Sequence, residues 1–351
     1  MSYIEKPKVS HPKMPRNKLG LTVRDYEGGV STLCAGCGHD SITAAIIQAV
    51  FELDIEPHKL AKMSGIGCSS KTPAYFVSQS HGFNSVHGRM ASVTTGGNAA
   101  NHDLTYIGVS GDGDSLSIGM GQFAHVIRRN LNMCYLIENN GVYGLTKGQY
   151  SASADVGSVA KKAKPNRLMP IDPVSTAIGL GATYIARSFS GDKQQLVPLI
   201  KGALTHKGFA LLDVISPCVT FNDNEGSTKS YAHTRKHFHH VIDADYIAPR
   251  EEIVAAYNEG EAMPVQLHDG SKIVFRKIDK DYDPTSRAAA FSFLRDSINR
   301  GEIITGLLYI DEGTGDMHSE NKTIETPLSQ VPYEDLRPAK GELKSLMNRY
   351  R

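Results

Sequence analysis

The stretch 104–142, LTYIGVSGDGDSLSIGMGQFAHVIRRNLNMCYLIENNGV, decides the fold of this chain. Its first seven residues, LTYIGVS, form an apolar run that reads as a buried strand. GDGD at 111–114 is a tight, glycine-bearing loop, SLSIGMGQFAHVIRRN reads as a helix, and LNMCYLIE at 131–138 is a second buried strand. Strand, short turn, helix and strand make one βαβ unit, the building block of a parallel sheet.

The same alternation continues outward. Upstream, Asp40 or Ser41 is placed to cap a helix running to about Glu52, with Ile42, Ala45, Ile46 and Val50 on one stripe. Leu60 to Met63 reads as a short strand that ends in the loop SGIGCSS, and a glycine-rich stretch with His81, His87 and Arg89 leads to a helix-like TTGGNAANHD. Downstream, after a long loop, helix (173–181), strand (182–187), helix (192–207) and strand (210–215) follow. The expected fold is α/β, an open, mainly parallel sheet with helices on both faces, plus a C-terminal extension. Residues 1–30, basic and carrying Pro7, Pro12 and Pro15, are expected to form an extended arm laid on another surface. Residues 31–245 form the main domain, and 246–351 the extension, in which KIVFRKI and ITGLLYID are strand candidates.

Composition narrows the function. The 351 residues suffice for about two domains' worth of core. Lys+Arg 38 against Asp+Glu 37 leaves a net charge of +1, so no strong field draws nucleic acid or anionic lipid, and neither is expected as a partner. With 40% hydrophobic and 21% charged residues the chain reads as an ordinary globular protein. No apolar run approaches the ~18 residues of a membrane span. The opening MSYIEKPKVSHPKMPRNKLG lacks the apolar core of a secretory signal, which points to the cytoplasm. The five cysteines are therefore read first as ligands or core residues, before disulfides.

Two constellations carry chemistry. In an α/β sheet, ligands bind at the carboxyl ends of strands, and Gly111-Asp112-Gly113 and Asn139-Asn140 sit at that edge of neighbouring strands. Asp112 and Asn140 would face each other across a crevice as hard oxygen donors suited to Mg²⁺. The glycines let backbone approach a phosphate, and the helix start near Ser115 offers free N–H groups. Either motif alone is more simply a turn. Together, 28 residues apart across an intact βαβ unit, they read as a diphosphate–Mg²⁺ cradle. The second constellation is Cys34-Ala-Gly-Cys37, Cys68 in GIGCSS and Cys218 in SPCVTF. Spacing alone leaves zinc and an iron–sulfur site equally open, with a redox dithiol behind both. Cys134, inside MCYLI, reads as a buried thiol packed among Met133, Tyr135 and the adjacent helix. His233, His237, His239 and His240, set among Arg235 and Lys236, read as a solvated basic helix or a subunit contact.

The GDG…NN arrangement resembles the signature of thiamine diphosphate enzymes. With the four loop cysteines, residues 31–245 resemble the beta subunit of 2-oxoacid:ferredoxin oxidoreductases, through CAGCGH, GIGCSS, HGR, GDGD, RRN, ENNGVYGLTKGQ and SPC in order. IGCSS and GLTKGQYSAS look most like the 2-oxoglutarate, or broad 2-oxoacid, branch. The resemblance implies that Cys34, Cys37, Cys68 and Cys218 ligate one [4Fe-4S] cluster, and that Asp112, Asn140 and the Val142 carbonyl hold Mg²⁺. It implies that Ile66, Gly67, Cys68, Ser69, His87, Gly111, Gly113, Asp114, Leu145 and Thr146 join Asp112 and Asn140 at thiamine diphosphate. His87, Arg89 and Lys147 become the candidate catalytic residues, Lys147 toward substrate carboxylate or coenzyme A. The implied reaction is coenzyme A-dependent oxidative decarboxylation of 2-oxoglutarate, or its CO₂-fixing reverse, with electrons leaving through the cluster to ferredoxin. Pyruvate or a broader set of 2-oxoacids is the alternative. An alpha subunit, in a hetero-oligomer of alpha–beta pairs, is expected to supply the glutamate that activates the aminopyrimidine.

Overall fold

The computed structural model describes residues 11, 13–158, 165–220, 253–266, 272–339 and 341–351. The histidine group at 233–240 and the first ten residues of the arm lie outside the described residues. In chain order the elements are α1 (Gly38–Glu52), β1 (Leu60–Ser64), β2 (His81–Asn84), α2 (Met90–Ala100), β3 (Thr105–Gly111), α3 (Met120–Arg128), β4 (Met133–Asn139) and the short strands β5 (Val142–Tyr143) and β6 (Gln149–Tyr150). There follow α4 (Pro173–Leu180), β7 (Tyr184–Phe189), α5 (Lys193–Thr205), β8 (Phe209–Ile215), β9 (Ala262–Gln266), β10 (Lys272–Lys277), α6 (Arg287–Asn299) and β11 (Glu302–Ile310).

Nine strands form one sheet in the order β2-β1-β3-β4-β8-β7-β11-β10-β9. The first six run parallel, β11 is antiparallel to β7, and β10 and β9 extend the edge. Right-handed crossovers set the layers. The steps β2 to β3, β3 to β4 and β4 to β7 move one way and put α2, α3 and α4 on one face, whereas β7 to β8 steps back and puts α5 with α1 on the other. The two apolar layers follow strand alternation. Tyr135, Ile185 and Leu211 pack under α2, α3, α4 and α6, and Ile107, Cys134, Ala210 and Leu212 pack under α1 and α5.

Several elements differ from the sequence reading. Helix α1 starts at Gly38 with Cys37 as its cap residue and no side-chain cap, so the CAGC loop itself feeds the helix. The helix expected from Ser115 splits into a π-helical turn, Gly113–Ile118, and α3. HGFN forms the edge strand β2 although all four residues are exposed, because backbone pairing from Ala61↔His81 to Ser64↔Asn84 makes it. Cys134 is buried but does not pack with Met133 and Tyr135, since alternation sends those two to the opposite face. KIVFRKI and ITGLLYI are strands β10 and β11 of the same sheet. The surface that residues 15–30 lie on is this chain's own, with Tyr26 fully buried and its hydroxyl donating to Ile55 O at 2.9 Å.

Candidate functional site

Because the strands share a direction, the loops after β1, β2, β3, β4 and β8 all leave the same edge of the sheet. These are GIGCSS, VHGR, GDGD, NNGVYGLT and SPC. They enclose a cleft lined by Ile66, Gly67, Cys68, Ser69, His87, Gly111, Asp112, Gly113, Asp114, Asn140, Val142, Tyr143, Gly144, Leu145 and Thr146. Every residue assigned to thiamine diphosphate in the sequence lines it. Arg89 and Lys147 do not line it, and both are exposed. Arg89 bonds to the carbonyl of Gly88 at 3.3 Å, and Lys147 adopts a left-handed φ of 77° in the turn between β5 and β6.

The two cleft carboxylates have different tasks. Asp114 Oδ1 accepts from Gly88 N at 2.8 Å and lies against His87 Nδ1, while Oδ2 accepts from the Ser110 hydroxyl at 2.7 Å. Asp114 thus ties the HGR loop to the end of β3. Gly65 lets the first loop sit on that carboxylate, since a Cβ there would fall 1.8 Å from Asp114 Oδ2. Asp112, 1% exposed, takes the hydroxyls of Ser151 and Ser153 on Oδ2 and the Asn140 N–H on Oδ1 at 3.4 Å. Burial raises its carboxyl above the usual carboxylate value, against the pull of those bonds. Among the described residues that line the cleft there is no lysine or arginine. A diphosphate could sit beside two carboxylates here only with a cation between them, and the Asp112 carboxylate, Asn140 amide and Val142 carbonyl are the hard oxygen set that suits Mg²⁺.

Four thiols gather at one wall. Cys68 lines the cleft, and a Cβ on Gly144 would lie 3.3 Å from Cys68 Sγ and 3.9 Å from Cys218 Sγ. Burial raises the Cys68 thiol, and the nearby Cys218 and Cys34 raise it further; Cys37 is raised by burial and by Cys218. Among the described residues no three His, Cys, Asp or Glu side chains stand close enough for a single ion. Cys134 is apart from them, and burial pushes its thiol up to about 12.

The sequence reading missed Tyr143, Ser151 and Ser153. Tyr143 donates to Gly113 O at 2.9 Å and meets the His87 ring edge-on at 6.0 Å. The hydroxyl-rich run YSAS, just after the turn, is the signal that carried the two serines.

Sheet, crossovers and cleft define the cofactor domain of a thiamine diphosphate enzyme, and residues 65–214 match the family model described as the C-terminal TPP-binding domain of thiamine pyrophosphate enzymes. The chain is 43% identical over 199 residues to the 2-oxoacid:ferredoxin oxidoreductase subunit beta of Saccharolobus solfataricus, covering 56% of this chain and 65% of that one. It is 37% identical over 189 residues to the 2-oxoglutarate synthase subunit KorB of Methanocaldococcus jannaschii, covering 54% and 69%. The chain belongs to the family of 2-oxoacid:ferredoxin oxidoreductase beta subunits. It spans just under two thirds of the length of the Saccharolobus relative. A solved 2-oxoglutarate:ferredoxin oxidoreductase from Magnetococcus marinus, with 2-oxoglutarate, coenzyme A and succinyl-CoA bound, superposes with a TM-score of 0.71 at 30% identity, over 95% of this chain and 97% of that chain.

Proposed function

We propose that this chain is the thiamine diphosphate-binding subunit of an enzyme that oxidatively decarboxylates 2-oxoglutarate with coenzyme A, or runs the reverse, CO₂-fixing reaction, and passes electrons to ferredoxin. The observation that carries the reading is the cleft, which has two carboxylates and no lining lysine or arginine and shares Cys68 with the gathered thiols. When bound, thiamine diphosphate supplies the nucleophilic carbon and the electron sink. The chain's own residues supply the setting. Asp112, Asn140 and the Val142 carbonyl hold Mg²⁺, and Cys34, Cys37, Cys68 and Cys218 hold a [4Fe-4S] cluster. Cys68 lines the cleft and stands beside Cys218, so a cluster held by these thiols would adjoin the cofactor site and could take up electrons from it. Asp114 holds His87 at the cleft wall, where it meets the diphosphate end. Arg89 and Lys147, exposed outside the cleft lining, remain the other candidate catalytic residues, Lys147 toward substrate carboxylate or coenzyme A. The reading of 1–30 as an arm, 31–245 as the cofactor region and 246–351 as an extension making subunit contacts belongs to the same proposal. No helix among the described residues is long and apolar enough to cross a membrane. A cluster would need reduced thiols, which supports the cytoplasm as the compartment.

The 2-oxoglutarate branch is supported by the KorB relative and by the ligands named for the Magnetococcus enzyme. The test is reduction of a low-potential acceptor by the co-expressed alpha–beta complex, dependent on both 2-oxoacid and coenzyme A. Turnover faster with 2-oxoglutarate than with pyruvate is expected; acceptor reduction with neither overturns the reading.

A further inference from the structure

Behind the cleft runs a buried polar chain that begins at a guanidinium. Arg187 on β7, 4% exposed, donates from Nε to Asp213 Oδ2 at 2.7 Å and from Nη2 to Asp172 Oδ2. Asp172 also caps α4, accepting from Ser175 N at 2.6 Å. Asp213, fully buried on β8, takes the Asn139 amide, Nδ2, on its other oxygen at 3.1 Å. The Asn139 oxygen faces the Ser153 hydroxyl at 3.1 Å, and that hydroxyl lies 2.5 Å from Asp112 Oδ2. Ser151 closes the group, reaching Asp112 Oδ2 and standing 3.1 Å from Ser153.

The chemistry of each link fixes the next. An ionised carboxylate only accepts, so Asp213 selects the nitrogen end of the Asn139 amide. The amide oxygen is thereby turned to Ser153. Two serine hydroxyls carry two protons, and Asp112 Oδ2 and Asn139 Oδ1 are the acceptors that share them. With both acceptors in place, neither proton is stranded and Oδ2 is pinned, which fixes the plane of the carboxylate and the direction of Oδ1.

We propose that Arg187 and Asp213 are positioning residues for the cation ligand Asp112, acting through Asn139 and Ser153. This rests on the reading of Asp112 as a Mg²⁺ ligand. A buried ion pair is weak support for a fold by itself, because desolvation opposes its attraction. Side chains that hold metal ligands in place, by contrast, govern affinity by about 10- to 100-fold.

The test uses the co-expressed complex, freed of cofactor, and reads the Mg²⁺ concentration that gives half-maximal thiamine diphosphate binding by calorimetry. Asp213→Asn keeps the shape and an oxygen for Arg187 but presents an amide that lets Asn139 turn over. It should raise the half-saturating Mg²⁺ by about tenfold or more. Asn139→Ala cuts the chain while leaving both ion pairs of Arg187 intact, and carries the test if the first variant does not assemble. It should give a similar rise, and the double variant should go no further than the larger single, because both act on one path. A purely structural role lowers the unfolding midpoint but leaves the Mg²⁺ dependence of the folded complex unchanged, and that result overturns the proposal, as do additive shifts. Wild-type complex that binds thiamine diphosphate with no Mg²⁺ dependence overturns the cradle reading as well.

Discussion

Asp112 carries more of the proposed chemistry than any other single side chain. Its carboxyl is buried and raised by desolvation, a state that a divalent cation would relieve. Asp112→Ala should therefore abolish retention of thiamine diphosphate by the complex, measured as cofactor content after desalting, and Asn140→Ala should weaken it less, since a neutral amide is lost. Retention by Asp112→Ala with wild-type Mg²⁺ dependence would put the cradle elsewhere. Among the cysteines the expected contrast is between Cys134 and Cys218. Cys134 is 1% exposed in the layer under α1 and α5, so Cys134→Ala should keep its iron and lose ~1 kcal/mol of stability. Cys218→Ala should lose iron and acceptor reduction, and iron analysis of the two variants side by side decides the ligand assignment. Asp112 and Asn140 were legible in the sequence because a βαβ unit fixes where its strand ends lie. Ser151 and Ser153 were not. They reach Asp112 only because the chain folds back through β5 and β6, with Ser151 N bonded to Gly141 O at 3.3 Å, and no spacing rule registers that return.

At the scale of elements, the buried parallel strands were readable because their apolar runs need no alternation. The edge was not readable. HGFN has no apolar pattern, and β2 exists through its ladder to β1. What supports this edge is Lys62 on β1, 6% exposed, whose ammonium donates to the carbonyls of Phe76 at 2.7 Å and Val77 at 3.0 Å. Val77 itself holds a left-handed φ of 38°, unusual for a β-branched residue. Burial pushes Lys62 down to about 8. An unfolded lysine titrates near 10.4, so between about pH 8 and 10.4 the unfolded state binds the extra proton. The contribution of this group to stability therefore rises with pH across that window, by at most ~1.4 kcal/mol per pH unit, and is flat below it. A neutral amine still has protons for both carbonyls. Lys62→Met should remove that rise, read as the difference between variant and wild-type denaturant midpoints at pH 7.5 and 9.5; a constant difference across the two pH values would mean that Lys62 is not desolvated.

On the scale of the molecule, both carboxylates among the described residues that line the cleft are already engaged. Its lining carboxylates are Asp112, engaged by two serines, and Asp114, engaged by Gly88, Ser110 and His87; among the described residues that line it there is no glutamate. Glu138 is close in sequence but fully buried, bonded to Thr72 at 2.9 Å, and is not part of the lining. Ile66 and Leu145 in the lining are 38% and 48% exposed, and Val86 beside His87 and Ile118 next to Gly88 are 71% and 47% exposed, an apolar surface adjoining the cleft. These features fit the proposal that an alpha subunit covers the cleft and contributes the activating carboxylate. Expressed alone, the chain should thus be inactive with every 2-oxoacid even when loaded with thiamine diphosphate, Mg²⁺ and iron, and co-expression with the alpha subunit should restore acceptor reduction. Charging Val86, as Val86→Asp, should lower recovery of the alpha–beta complex on size-exclusion chromatography while leaving the isolated chain folded, because its side chain is 71% exposed in this chain and, on this proposal, would be covered on assembly. Turnover by the isolated chain would show that the acid lies within it, and full assembly of Val86→Asp would show that the partner binds another face.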